Sequence, residues 1–474
     1  MMRHTVSPRP WVMALAIALA ALFFPACGGG DDSPATAVPP SDTAGAASAS
    51  SPAAAATATG TATAAPSPIR TPPARLGSPT GAPHTAAPPD FEALPGATAD
   101  FGTLGKATYR IEMPANWNHK LIMYAHGVRL GTNELTVSSP NDALREAWIS
   151  AGYAWAASSF SENQYVPGVG ADDTLDLLDF FSGKYGKPDT VYLFGVSMGG
   201  HVTALLLENY PDRFDGALSV CGALGGEEEI DYLVAWGMAA EYLSGVTLPT
   251  GSGQAAMAAA LTQQLPQALG TPDNPTEEGK EFASVARELS GGPRPFFYEG
   301  YAATYQVNFG ILLIDPNRTS VPGAAATNDG IEYAIDPSFG ISNEELNAGI
   351  RRLPADPAVR NFDAHPDAVP TTGNISDPLL TLHNTGDVFV PITNEISYRE
   401  KAEAAGKGDL LVQRAIRAAG HCIFSDTELL TAWNDLRGWV EDGKKPAGDD
   451  LTGDLSDIGR QFTNPLRPGD PGTP

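Results

Sequence analysis

The sequence predicts an α/β fold: a mostly parallel sheet flanked by helices, carrying a mainly helical insertion. Three observations lead there. Short apolar runs alternate with amphipathic stretches over residues 107–222, and the same alternation resumes over 377–443. Residues 223–370 lack that alternation and are rich in Ala, aromatic residues, Pro and polar turns. The apolar run 191–196 ends in "GVSMGG" (195–200), a serine between glycines where a strand meets a helix. Strands that alternate with helices pair in parallel through crossover helices.

The elements follow in order. "ATYRIEMP" (107–114) alternates as a strand does, and "KLIMYAHG" (120–127) is an apolar run closed by Gly127. "DALREAWISAG" (142–152) has helical spacing and a glycine stop, and "YAWAASSF" (153–160) is strand-like. "DDTLDLLDFFSGKYG" (172–186) reads as an amphipathic helix with Asp172 or Asp173 as its N-cap. "TVYLFGVS" (190–197) is a strand, "GGHVTALLLENYP" a helix stopped by Pro211, and "FDGALSVCG" (214–222) a strand. The second half repeats strand, helix, strand, helix in "DPLLTLHNTGD" (377–387), "EISYREKAEAAG" (395–406), "DLLVQRAIRAAGH" (409–421) and "DTELLTAWNDLRGWVEDG" (426–443). Residues 96–222 and 371–445 are thus two parts of one domain. Residues 223–370 form a cap between them, and 446–474 a Gly/Asp/Pro-rich surface tail.

The N-terminal region is of another kind. Arg3 and Arg9 precede an apolar stretch, "WVMALAIALAALFF" (11–24), that is short for a membrane span and reads as the core of an export signal. "PACGGG" follows it, and the small residue before Cys27 resembles the bacterial lipoprotein signal, in which that cysteine is lipidated. Phe24 and Pro25 depart from that pattern; without lipid, residues 1–27 are an ordinary signal peptide. Residues 28–95, nearly all Gly, Ala, Pro, Ser, Thr and Asp, read as a disordered stalk without enough apolar surface to offset chain entropy. The expected location is outside the cytoplasm, anchored through Cys27 or secreted.

The formal net charge of −26 excludes nucleic acid and an anionic membrane face as partners, since both need Lys/Arg surfaces. Membrane contact is expected only through a lipid on Cys27. Of three cysteines, Cys221 and Cys422 are left to pair in an oxidising compartment. No CxxC or His-rich spacing points to a metal, and no cofactor is expected.

A G-x-S-x-G turn after a strand and before a helix lifts a serine hydroxyl clear of the sheet, and its flanking glycines avoid a steric clash. Ser197 is therefore the candidate nucleophile. A serine needs a base, and the base a carboxylate that orients it. His201 is too near in sequence, His365 sits in a loop of the insertion, and His383 lies inside an apolar strand as a core or supporting residue. His421 follows a strand at the sheet edge where the base belongs, and Asp387 follows the preceding strand at the same edge. Asp377 and Asp409 start their strands, at the opposite edge.

"HG" (126–127), "GVSMGG" (195–200), "GDVFVP" (386–391) and "GHCIF" (420–424) resemble the α/β-hydrolase superfamily, in order and in strand context, over residues 100–225 and 371–443. The resemblance implies an eight-stranded sheet, a Ser197–Asp387–His421 triad, and a cap before the acid strand. It also implies an oxyanion hole from the backbone N–H groups of Met198 and Val128. Tannases and feruloyl esterases also tether the triad with a disulfide, but through a cysteine beside the nucleophile, where this chain has Val196. Their substrate class does not carry over.

Three functions compete: a carboxylic ester hydrolase, a serine peptidase of the prolyl-oligopeptidase kind, and a non-catalytic surface protein on a hydrolase scaffold. The complete triad order argues against the third. The substrate expected is a small or polymeric ester with an apolar or aromatic group. The rings of the insertion, including Trp236, Tyr298, Tyr301, Tyr305 and Phe309, either pack the cap's own core or line a pocket for that group.

Overall fold

The computed structural model describes residues 75–76, 83–130, 132–249, 254–314, 325–357, 360 and 370–470. The export signal with Cys27, most of the expected stalk and His365 lie outside the described residues. Eight strands form one sheet: β1 (Ala97–Leu104), β2 (Ala107–Pro114), β3 (Lys120–Ala125), β4 (Ala154–Ser158), β5 (Thr190–Val196), β6 (Gly216–Val220), β7 (Leu379–Gly386) and β8 (Leu411–Ala419). Their order is β1-β2-β4-β3-β5-β6-β7-β8. β2 runs antiparallel to both its neighbours, and the pairs from β4 to β8 are parallel. This is the α/β-hydrolase fold.

Both sheet faces are covered, which is why the central strands read as continuous apolar runs. On one face α2 (Pro167–Tyr185), α3 (Met198–Asn209) and α7 (Thr393–Ala404) pack on Leu121, Met123, Leu193, Ala217 and Leu379. On the other, α1 (Asp142–Ser150) and α8 (Asp426–Asp442) bring Trp148, Trp433 and Leu436 onto Ile122, Tyr192, Phe194 and Leu380. The cap contains α4 (Glu227–Ser244), α5 (Glu277–Leu289) and α6 (Phe297–Ile314). Trp236, Phe282, Tyr301, Tyr305 and Phe309 meet ring to ring between these helices. Most of the cap's rings therefore fill its interior, whereas Tyr298 is 61% exposed. Among the described residues no helix is long and apolar enough to cross a membrane.

Two expectations need correction. The helix expected from 172 begins at Pro167, so neither Asp172 nor Asp173 caps it. Asp172 instead accepts from the Leu76 amide, and Asp173 from the Ser161 amide. The stalk was expected to run to 95, yet residues 83–95 lie against the domain. Thr85–Ala86 pair with Glu134–Leu135, Arg110 donates to the carbonyls of Pro89 and Asp90, and Phe91 meets Trp155 at 5.7 Å. The tail after 445 covers the outer edge of β8: the Asp449 amide donates to Gln413 O, its carboxylate accepts from Ala415, and Thr463 Oγ1 accepts from Arg417. Arg417 and Asp470 form an ion pair with both side chains fully buried. An otherwise unpaired edge strand is thereby protected.

Candidate active site

Ser197 occupies a backbone conformation rare for an L-residue, φ 57° and ψ −121°. The turn exists because its neighbours lack Cβ atoms. A Cβ at Gly195 would lie 2.2 Å from Gly199 O, and one at Gly199 would lie 2.0 Å from Ala125 O. The Ser197 amide donates to Val220 O, and its carbonyl accepts from Gly200, so the turn is tied to β6 and to the first turn of α3. The α3 helix starts at Met198, so its favourable N-terminal dipole lies at the serine.

The structure brings Ser197, His421 and Asp387 together. His421 Nε2 lies 2.9 Å from Ser197 Oγ, and His421 Nδ1 lies 2.6 Å from Asp387 Oδ2. The carboxylate fixes the tautomer: Nδ1–H donates to Asp387, leaving Nε2 to accept from the hydroxyl. The Asp387 side chain is fully buried, and its Oδ1 accepts from the amides of Phe389 and Val390, both at 3.0 Å. The Phe389 ring meets the His421 ring edge-on at 5.2 Å. The arrangement can move a proton off a serine hydroxyl and hold the resulting imidazolium.

Gly127, just before Val128, stands against Ser197: a Cβ there would lie 3.1 Å from Ser197 Cβ. His126 fixes this loop. Its Nδ1 lies 2.7 Å from Gly127 O and its ring stacks on Phe160 at 4.1 Å. Burial, with the Arg129 charge adding to it, lowers the His126 pKa to about 4, so the ring is neutral and Nδ1–H is the donor.

The His421 loop has three further anchors. Cys221 and Cys422 form a disulfide across 201 residues. Asn384, on β7, donates to Ile423 O and accepts from Ile423 N, both at 2.8 Å. The Gly420 amide donates to Gly386 O. The two sulfurs and a His421 nitrogen lie within 4.8 Å of one another, a metal-like cluster that the S–S bond consumes.

Sequence reasoning missed the residues through which the cap reaches the acid loop. Arg294, buried, donates from Nε to Thr385 O at 2.7 Å and from Nη2 to Asp387 O at 3.4 Å. Burial lowers its pKa to about 10, with Tyr232 and Asp387 opposing, so it stays charged at neutral pH. Tyr232 Oη and Asn308 Nδ2 both donate to Val388 O. The two other described histidines downstream of Ser197 have partners of their own: His201 Nδ1 meets Tyr165 Oη at 2.9 Å, and His383, buried in β7, meets Val390 O.

No family model matches the chain. It is similar to the o-phthalyl amidase of Xanthobacter agilis, 24% identical over 398 residues that cover 72% of this chain and 86% of that protein. Among solved structures, feruloyl esterase B from Aspergillus oryzae aligns at 14% identity and TM-score 0.42, over 73% of this chain and 80% of that one. The acylaminoacyl peptidase of Pyrococcus horikoshii aligns at 10% identity and TM-score 0.38, over 76% of this chain; the match spans 44% of the peptidase's length. The fold is read from the strand order and the serine turn, and the chemistry from the side chains that they bring together.

Proposed function

We propose that the chain is a serine hydrolase working through an acyl-enzyme. Its nucleophile is Ser197, its general base and acid His421, and its orienting carboxylate Asp387. The observation that carries this is the unbroken hydrogen-bond path from Ser197 Oγ through His421 to a buried Asp387 at the end of β7. His421 takes the serine proton as Oγ attacks an acyl carbonyl. The amides of Met198 and Val128 receive the oxyanion, an effect of about 3–4 kcal/mol for each donor. His421 then gives the proton to the leaving group. Water attacks the acyl carbon and gives a proton to His421, and that proton passes to Ser197 Oγ as its bond to the acyl group breaks and the acid leaves.

We assign the scissile bond to a carboxylic ester with an apolar or aromatic group. Amide cleavage is the second reading, favoured by the similarity to an amidase over most of both chains. A panel of p-nitrophenyl esters, aryl amides and aminoacyl nitroanilides, run side by side, separates them. Ser197→Ala and His421→Ala each lose at least ~10³-fold in kcat with the fold intact, and Asp387→Asn is comparably damaged. Near-normal turnover by Ser197→Ala overturns the mechanism. Export with lipid on Cys27 is part of the same proposal; mass spectrometry of the native N-terminus finds either a diacylglyceryl cysteine or a free terminus.

A further inference from the structure

Beside Asp387 lies a second pair of titratable residues that the mechanism leaves unused. His383 on β7 and Glu395 on α7 are both fully buried. His383 Nε2 lies 2.8 Å from Val390 O, so Nε2 carries a proton and donates it to the loop whose amides hold Asp387 Oδ1. The same Nε2 lies 3.9 Å from Asp387 Oδ2, the oxygen that faces His421. On the far side of the ring, His383 Nδ1 and Glu395 Oε1 face each other at 3.4 Å, and neither has a hydrogen-bond partner. Two bare lone pairs cannot face each other in a dry interior without cost, so one of these atoms holds a proton. Glu395 Oε2 accepts from Thr381 Oγ1 at 2.7 Å and Gln413 Nε2 at 2.6 Å, which favours the carboxylate and leaves the proton on Nδ1.

We propose that His383 and Glu395 are positioning residues of the active site: a buried imidazolium–carboxylate pair that sets a positive charge beside Asp387 and holds the acid loop through Val390. Burial alone opposes a charged His383, but the Glu395 carboxylate and then Asp387 outweigh it and raise its pKa above the ordinary value. The other groups facing Asp387 complete the charge pattern. Arg294 approaches its carbonyl from the cap, and Glu229 of α4, pushed well above the usual carboxylate range by burial and adding no charge while protonated, acts on it at longer range. The inference rests on the triad reading above.

Glu395→Gln tests it without disrupting the network. The amide oxygen can accept from Thr381 and Gln413, while the amide NH₂ donates to Nδ1. His383 then becomes neutral and keeps Nε2–H on Val390 O. The readout is the rate at which a fluorophosphonate labels Ser197 as a function of pH, which needs no known substrate: Oγ attacks phosphorus, fluoride leaves, and the serine proton passes to His421. The nearer positive charge is lost along with the farther negative one, which moves the labelling profile to higher pH. The acidic limb moves up by about half to one pH unit, the order for a buried charge reached through Asp387 Oδ2, which lies 3.9 Å from His383 Nε2 and 2.6 Å from His421 Nδ1, at an effective dielectric near 20, partly offset. Nitrogen-15 NMR of histidine-labelled parent protein shows both His383 nitrogens protonated. A folded Glu395→Gln with a superimposable labelling profile overturns the proposal, and so does a neutral His383 in the parent. Failure of the probe to label Ser197 in the parent is a separate result, and it overturns the triad reading itself.

Discussion

Removing the Cys221–Cys422 disulfide should cost both stability and rate, and the structure sets the scale of each. The bond closes a separation of 201 residues. Loop-closure entropy for that length is worth up to ~5 kcal/mol, and such bonds commonly deliver about 2–5. With unfolding entropy near 2.1 cal/mol/K per residue over the roughly 360 described residues, that range lowers Tm by about 3–7 °C. Both cysteines have left-handed backbones, φ 47° and 61°, a conformation that costs a non-glycine residue about 1–2 kcal/mol. Without the bond that backbone can relax, and Cys422 immediately follows His421. The loop does not come free, because Asn384 still grips Ile423 and Gly420 still donates to Gly386 O. A shift of ~1 Å at the imidazole costs ~10²-fold, so the partly anchored loop should lose about 10- to 100-fold in kcat. KM should move far less. Cys221→Ser/Cys422→Ser, assayed by differential scanning calorimetry and steady-state kinetics, decides it. A double variant with parental Tm and parental kcat refutes the tether.

Arg294→Met strips the Thr385 and Asp387 carbonyls of a buried charged donor; we expect a loss of about 3 kcal/mol in urea denaturation and a fall in kcat that exceeds any rise in KM. Arg294→Lys, which keeps the charge but not the fork, should recover part of it, and parental kinetics in Arg294→Met would sink the idea. His126 gives the pH prediction. Its folded pKa of about 4 lies below the ordinary 6.5, so its contribution to stability is present above pH 6.5 and is lost as pH falls toward 4. That loss is about 3 kcal/mol, and His126→Gln should show a drop between pH 7.5 and 4.5 smaller by that amount; an equal drop would refute it.

The candidate site was legible because its signals are local. A serine turn needs glycines within two residues, a strand end followed by Gly-Asp or Gly-His is a short pattern, and Cys422 adjoins the base in sequence. What stayed hidden depends on partners far along the chain. Arg294 lies 91 residues from Thr385 and Tyr232 156 residues from Val388, and nothing in "GGPRPFF" or "EIDYLV" marks those contacts. Composition misled at both ends. The Ala/Pro background over 83–95 masked Phe91 and Leu94, the large apolar residues that pack on the sheet. The Gly/Asp/Pro tail masked Leu451 and Leu455, which are buried. At α2, the glycines of "VPGVG" obscured Pro167 in the first turn, a helix-start signal that was present.

The same long-range contacts bear on what the cap is. A lid that opens by rigid rotation must leave the acid loop intact when it departs. Here the loop's polar groups are satisfied largely by the cap: Arg294 serves Thr385 and Asp387, and Tyr232 with Asn308 serves Val388. Gly300 of α6 also packs so closely on the end of β7 that a Cβ there would lie 1.6 Å from Gly386 O. Lifting this part of the cap would leave three carbonyls beside Asp387 without these donors, and each buried group left unpaired costs about 1–3 kcal/mol. The segment from Arg294 to Asn308 therefore belongs mechanically to the sheet edge that holds Asp387. Any opening must hinge elsewhere in 223–370, on segments that do not hold β7. A chain shortened across the whole cap should lose Ser197 reactivity toward a fluorophosphonate, whereas a lid that only covered the site would leave it unchanged or faster.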